Sequence, residues 1–264
     1  LGLRWYDIQV DFEGSANSSF YNGFGAPDTQ QFGSNLSAQY APGNANGYPD
    51  KAKTDGTIGK VTYSWNPNDD VMYYVTYSEG YRAGLLNRKG GAVNGDGTYT
   101  VPNTVDSDTV TNYEMGWKGM FMDGRLRLTS GVFYNDFEDY QITGSIEPQG
   151  AGDAGVDGLF SQFTATPILE FTDNIEGTKI WGAEVDVIYH VDEHWRLSGF
   201  YAYLNSEIGP HKAVVQGAVD PQIGRWDHID FTTGQPTTSE YVLPTDMTGT
   251  QLPMQPNHTF ALTA

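Results

Sequence analysis

The spacing between strand-like segments constrains this chain more than any single motif does. Segments with the apolar and polar alternation of a β-strand fall at about 1 to 13, 57 to 65, 70 to 82, 111 to 122, 125 to 141, 174 to 191, 195 to 208 and 257 to 264. The connections between them alternate in length. Tight ones at 66–69 (NPND), 122–125 (MDGR) and 191–194 (VDEH) separate long ones near 14 to 56, 83 to 110, 143 to 173 and 209 to 256, which are rich in Gly, Asn, Asp, Pro and Thr. Compact soluble domains rarely hold even one long structureless loop. Short turns alternating with long loops are the pattern of an up-and-down membrane barrel, with turns on the periplasmic side and loops outside.

The segment 112–141 poses the central question in one hairpin. On its first arm Tyr113, Met115, Trp117 and Phe121 share a parity, and Asn112, Glu114 and Lys118 share the other. On its second arm Leu126, Leu128, Val132 and Tyr134 alternate with Arg127, Thr129 and Asn135, and the Asp123-Gly124 pair between the arms suits the positive φ of a tight turn. Each arm has one greasy face and one polar face. A soluble sandwich turns the greasy face to a core; an outer-membrane barrel turns it to lipid and the polar face to a wet lumen.

Composition removes several classes. No run of 18 or more apolar residues occurs and the mean hydropathy is −0.46, so transmembrane helices are excluded, whereas a β-barrel averages out in such a measure. A net charge of −19, from 14 Lys and Arg against 33 Asp and Glu, argues against nucleic-acid binding. With no Cys there are neither disulfides nor thiolate metal sites. The chain opens at Leu1 and ends in HTFALTA, inside a strand-like stretch, and so reads as a piece of a longer protein.

Aromatic placement favours lipid. Trp65 and Tyr73 flank the first tight turn, Phe121 precedes the second, and Tyr189 and Trp195 bracket the third, the headgroup level of a membrane wall. Parity then assigns Val61, Tyr63, Val75, Tyr77, Val185, Val187, Leu197 and Tyr201 to lipid, and Lys60, Thr62, Thr76, Arg82, Glu114, Lys118, Arg127, Glu184, Asp186 and Arg196 to the lumen. A cationic side chain near the midplane of the lipid face costs about 2–4 kcal/mol, and none of these strands carries one there. Glu79 breaks parity at the far end of its strand, where water is within reach.

Three motifs in order carry a family resemblance: YVTYSEGYRAGLLNR at 74–88, the hairpin at 112–141 and IEGTKIWGAEVDVIYHVDEHWRLSGFYAYLNSEI at 175–208, followed by LPMQPNHTFALTA. The chain resembles the barrel of TonB-dependent outer-membrane receptors, of the siderophore-receptor kind. The resemblance implies an all-β, antiparallel up-and-down transmembrane barrel in the bacterial outer membrane. About eight strands, residues 1–264, would be part of a wall of about 22, with the plug domain and the other strands outside them. It also implies energised uptake of a scarce nutrient, most often a ferric siderophore, with outer-membrane lipid as one partner and the TonB complex, reached through the plug region, as another. An open eight-stranded sheet would leave unpaired edges in lipid, so the piece acts only within a longer wall.

For ligand binding, Arg82 is the leading candidate because its parity is inward, it sits at the extracellular end, and a guanidinium suits carboxylate or catecholate oxygens. Pairing with Glu114 is its competing role. Tyr81, Asn87 and Arg88 are further candidates, and Phe160, Trp226 and Tyr241 are loop aromatics able to stack on a ligand or pin their loops. Glu114, Lys118 and Glu184 are expected to form lumen ion pairs. No catalytic constellation, cofactor or metal site is expected: Asp136, Glu138 and Asp139 read as strand-end acids, His190 and His194 straddle a turn, and Asp96, Asp153 and Asp157 follow no full calcium-loop pattern. Two other classes remain open, a complete eight-stranded barrel with a structural or adhesive role and a secreted carbohydrate-binding β protein. Dependence on detergent separates the latter from either barrel.

Overall fold

The computed structural model describes residues 1–11, 51–86, 104–146, 169–214, 220–229, 233 and 235–264. The chain runs through β1 (Gly2–Asp11), β2 (Lys51–Asn68), β3 (Val71–Arg82), β4 (Leu85–Leu86), β5 (Thr104–Val105), β6 (Asp108–Phe121), β7 (Leu126–Glu138) and β8 (Tyr140–Ile146). Then come β9 (Leu169–Ile175), β10 (Thr178–His190), β11 (Arg196–Glu207), β12 (Lys212–Ala213), β13 (Ile223–Ile229), β14 (Pro236–Val242), β15 (Thr245–Asp246) and β16 (His258–Thr263).

Eight of these form one sheet in the order β1-β2-β3-β6-β7-β10-β11-β16, every pair antiparallel. Neighbours follow one another along the chain. The tight turns β2–β3, β6–β7 and β10–β11 therefore lie at one end and the long connections at the other, as the spacing predicts. The sheet is a wall with β1 and β16 as its two ends, not a closed barrel.

The register confirms the assigned faces. Tyr63 pairs with Val75, Tyr77 with Tyr113, Tyr113 with Tyr134, Tyr134 with Trp181, and Val185 with Tyr201, so the greasy residues share one face across neighbouring strands. That face is bare: Tyr63 is 68% exposed, Met115 58% and Trp65 55%. The buried apolar residues Leu86, Val105, Ile175 and Ile208 belong instead to the loop end. With no protein layer over it among the described residues, the face needs an apolar solvent, and a bilayer supplies one. Trp65 and Tyr73 stack at 5.7 Å beside the first turn.

On the inner face small residues admit large neighbours. Tyr74 lies across Gly116, its cross-strand partner, and a Cβ built on Gly116 would stand 2.6 Å from the Tyr74 hydroxyl. In the turn after β6, Met122 (φ 57°), Asp123 (φ 53°) and Gly124 (φ 84°) all have positive φ, and the Arg125 N–H donates to the Met122 carbonyl at 3.2 Å. Asp-Gly thus occupies the centre of a tight turn with φ positive at both central residues.

Three expectations need correction. The first tight turn is Asp69-Asp70, not 66–69, because β2 continues to Asn68 through a bulge between Trp65 and Asn68 that takes in Pro67, which has no N–H for the ladder. Three of the four long connections are not structureless: they hold the two-stranded pairs β4–β5, β8–β9, β12–β15 and β13–β14, while 12–50 lies outside the described residues. And the segments 125 to 141 and 174 to 191 are each broken, at Asp139 (φ 55°) and Gly177 (φ 73°); beyond the break β8 and β9 keep the register of β7 and β10 but form a two-stranded sheet of their own.

Candidate functional site

The polar side chains at the loop end of the wall converge on the top of β3. Arg82 faces inward opposite Asp108 in register. Its Nε donates to Asp108 Oδ2 at 2.8 Å, its Nη2 bonds the same oxygen, and Nη2 also donates to the Gln141 carbonyl at 2.9 Å. The guanidinium lies 5.2 Å from the Tyr140 ring centre. Asp108 is 4% exposed, and Arg82 supplies the opposite charge beside it. Arg82 does not pair with Glu114, which stands opposite Thr76, six register positions or roughly 20 Å farther down. The sequence reading places Asp108 inside a loop; extending the Tyr77–Tyr113 ladder upward would have found it.

Gln141 and Asn174 are cross-strand neighbours at the base of the β8–β9 hairpin. Their side-chain amides meet on the main chain of one residue: Gln141 Nε2 donates to the Asp106 carbonyl at 2.8 Å, Asn174 Nδ2 donates to it at 2.9 Å, and the Asp106 N–H donates to Asn174 Oδ1 at 2.7 Å. Gln141 Nε2 also donates to the Ala83 carbonyl at 3.0 Å. On the other flank His211, 8% exposed, packs at the base of the β11–β16 connection. Burial pushes its pKa down, against the upward pull of Asp173 and of a hydrogen bond to the Thr143 backbone.

The remaining candidates separate. Tyr81 stacks on Tyr6 with ring centres 3.5 Å apart and planes 6° apart, so one ring face is covered. Asn87 and Arg88 lie outside the described residues, as do Asp96, Asp153, Asp157, Phe160 and the side chains of Trp226 and Tyr241. Glu79, the parity breaker, accepts hydrogen bonds from the Tyr77 hydroxyl at 2.6 Å and the Gly59 N–H at 2.7 Å.

Lower on the inner face, Tyr74, Glu114, Thr129, Phe133, Glu184 and Asp186 line a recess of about 250 Å³. The expected ion pairs among Glu114, Lys118 and Glu184 are not formed among the described residues. Tyr74 intervenes: its hydroxyl donates to Glu114 Oε1 at 2.7 Å, and Lys118 Nζ sits 5.7 Å from its ring centre. Glu114 and Glu184 lie on β6 and β10, with β7 between, about 10 Å of strand spacing apart. The recess is therefore acidic. Among the described residues no trio of His, Asp and Glu is grouped as a metal site.

A single-layer antiparallel wall with a bare greasy face, a polar inner face and folded loops at one end defines an outer-membrane β-barrel segment. The chain belongs to the TonB-dependent receptor β-barrel family: residues 1–264 match the family model described as "TonB dependent receptor-like, beta-barrel". It is 22% identical over 171 residues to the "Probable TonB-dependent siderophore receptor PiuA" of Acinetobacter baumannii, covering 64% of this chain and 19% of that protein. The crystal structure of PiuA aligns with a TM-score of 0.46 and 19% identity, over 80% of this chain and 24% of the other. The ferric-catecholate import receptor Fiu of E. coli K12 aligns with a TM-score of 0.41 and 15% identity, over 90% of this chain and 33% of Fiu. The chain thus spans about a fifth of the length of the curated relative. Members of the family are receptors and transporters of the bacterial outer membrane, not enzymes.

Proposed function

We propose that this chain is part of the wall and outer rim of a receptor for energised uptake of a ferric siderophore. The match of all 264 residues to the barrel family carries this reading. In it, further strands pair with the free edges of β1 and β16, since unpaired backbone in lipid costs several kcal/mol per group. A plug domain fills the lumen, and its cationic side chains reach the acidic recess at Glu114, Glu184 and Asp186. The TonB complex engages that plug from the periplasm.

Cargo capture is assigned to the rim around Arg82. Its Nε and Nη2 are held by Asp108 and Gln141, while its side chain is 52% exposed, so the Nη1 edge remains for a carboxylate or catecholate oxygen. Tyr81, the residue before Arg82, is a weaker candidate, and Asn87 and Arg88 follow in sequence.

Deletion of the full receptor gene should abolish energy-dependent uptake of radio-iron bound to its siderophore, and the intact gene should restore it. Undiminished uptake of every ferric siderophore tried, with loss of some other nutrient, would contradict the cargo and leave the barrel assignment standing. Arg82→Ala separates two roles at the rim: weaker cargo binding at unchanged thermal stability marks a ligand contact, and the reverse marks a structural pair.

A further inference from the structure

The β8–β9 hairpin continues the register of β7 and β10 past a break at Asp139 and Gly177, but as a two-stranded sheet of its own, with no wall strand hydrogen-bonded along either side. Its base is placed by hydrogen bonds, and one residue makes most of them. Gln141, 7% exposed, donates its N–H to Asp108 Oδ2 at 3.2 Å and accepts from Arg82 at its carbonyl at 2.9 Å. Its side chain donates to the carbonyls of Ala83 and Asp106 at 3.0 and 2.8 Å. These contacts join the hairpin to both members of the Arg82–Asp108 pair and to both ends of the connection that carries β4 and β5.

We infer that Gln141 is the positioning residue that makes the placement of the β8–β9 hairpin depend on the state of Arg82. The cargo role of Arg82 rests on the uptake reading above; the coupling itself does not. Asp108 is nearly buried, and each bond Arg82 makes to it or to Gln141 is charge-assisted. A group that draws the guanidinium away leaves Asp108 with the Gln141 N–H and leaves the Gln141 carbonyl without its donor. The hairpin then loses one of the four bonds through which Gln141 holds it to the rim, and that hold weakens. Asn174 keeps a separate bond pair to Asp106, so the hairpin loosens about that contact instead of detaching. A ligand at Arg82 thereby acts on a segment it need not touch, because it binds the two hairpin placements differently.

Hydrogen–deuterium exchange on the full-length receptor in detergent or bilayer tests this. Gln141→Glu keeps the length of the side chain but removes both amide donors. In Gln141→Glu and in Arg82→Ala, amides of 140–146 and 169–175 should exchange about tenfold faster or more, together with those of 83–86 and 104–107, while β10 stays protected. In wild type, iron(III) tris-catecholate should change exchange across the hairpin, and in Arg82→Ala that response should be lost. Unchanged hairpin protection in Arg82→Ala or in Gln141→Glu, or a full hairpin response to the ligand in Arg82→Ala, overturns the inference. If iron(III) tris-catecholate fails to bind wild type, the ferric-catecholate form of the uptake reading falls, and the Arg82→Ala exchange alone decides the coupling.

Discussion

At the scale of single residues, the rim is governed by which polar groups are buried and what they bond. Arg82 is legible as an inward cation at the outer end of its strand, but Asp108 is not legible as its partner, because a carboxylate in a Gly- and Thr-rich stretch looks like a loop acid until the ladder is extended to it. Gln141 and Asn174 give no pattern in sequence at all. Amides carry no charge to flag them, and their partners are main-chain groups of Ala83 and Asp106, far along the chain. His211 supplies a test of burial at this scale. Its pKa is lowered in the folded rim, first by burial, so the unfolded or undocked chain binds the proton more readily. Stability of the docked β11–β16 connection should therefore be independent of this group above the ordinary histidine pKa and fall as pH drops below it, until the folded group also protonates. Limited proteolysis of the full receptor should cut near 208–214 faster at pH about 5 than at about 7.5, and His211→Gln should flatten the difference. Equal cutting at the two pH values in the native protein would show that the docking does not depend on neutral His211.

Among elements, the strands were readable because a period of two is local: one face of each arm is apolar whatever surrounds it. The break between β7 and β8 is not readable. Asp139 adopts positive φ without being glycine, and the run on either side of it continues the alternation, so nothing marks the break except Gly177 on the facing arm. The bulge before Asp69-Asp70 has the same character, since Asn66-Pro67 reads equally well as a turn. Gly177 is the sharper probe. No atom lies within 4 Å of a Cβ built there, so Gly177→Ala is strained by backbone alone. It should cost about 1–2 kcal/mol, seen as faster exchange in 140–146 and 169–175 with β7 and β10 unaffected. Equal protection in the variant would mean that the hairpin relaxes at its break without cost.

For the whole molecule, the decisive contrast is between a face that protein covers and a face that lipid covers. Sequence set the parity, and the register of seven strand pairs joins it into a continuous surface with exposures such as 68% at Tyr63 and 53% at Val75. What sequence alone left open was whether a second layer packs on it, because a sandwich and a barrel share the same alternation. In the full receptor, Val185→Arg should destabilise the bilayer-inserted state by about 2–4 kcal/mol, while Glu184→Gln, on the neighbouring inward position, should be nearly neutral; folding titrations in phospholipid measure both. The chain has no cysteine, so single reporters can be placed at will. Spin labels at successive positions 181 to 190, read for collision with oxygen dissolved in the bilayer, test the lipid-facing wall most directly. High accessibility at 181, 183, 185, 187 and 189, with low values at the even positions, is the result expected from the register of β10. An alternation of opposite phase, or none, would contradict a wall whose greasy face lies in lipid.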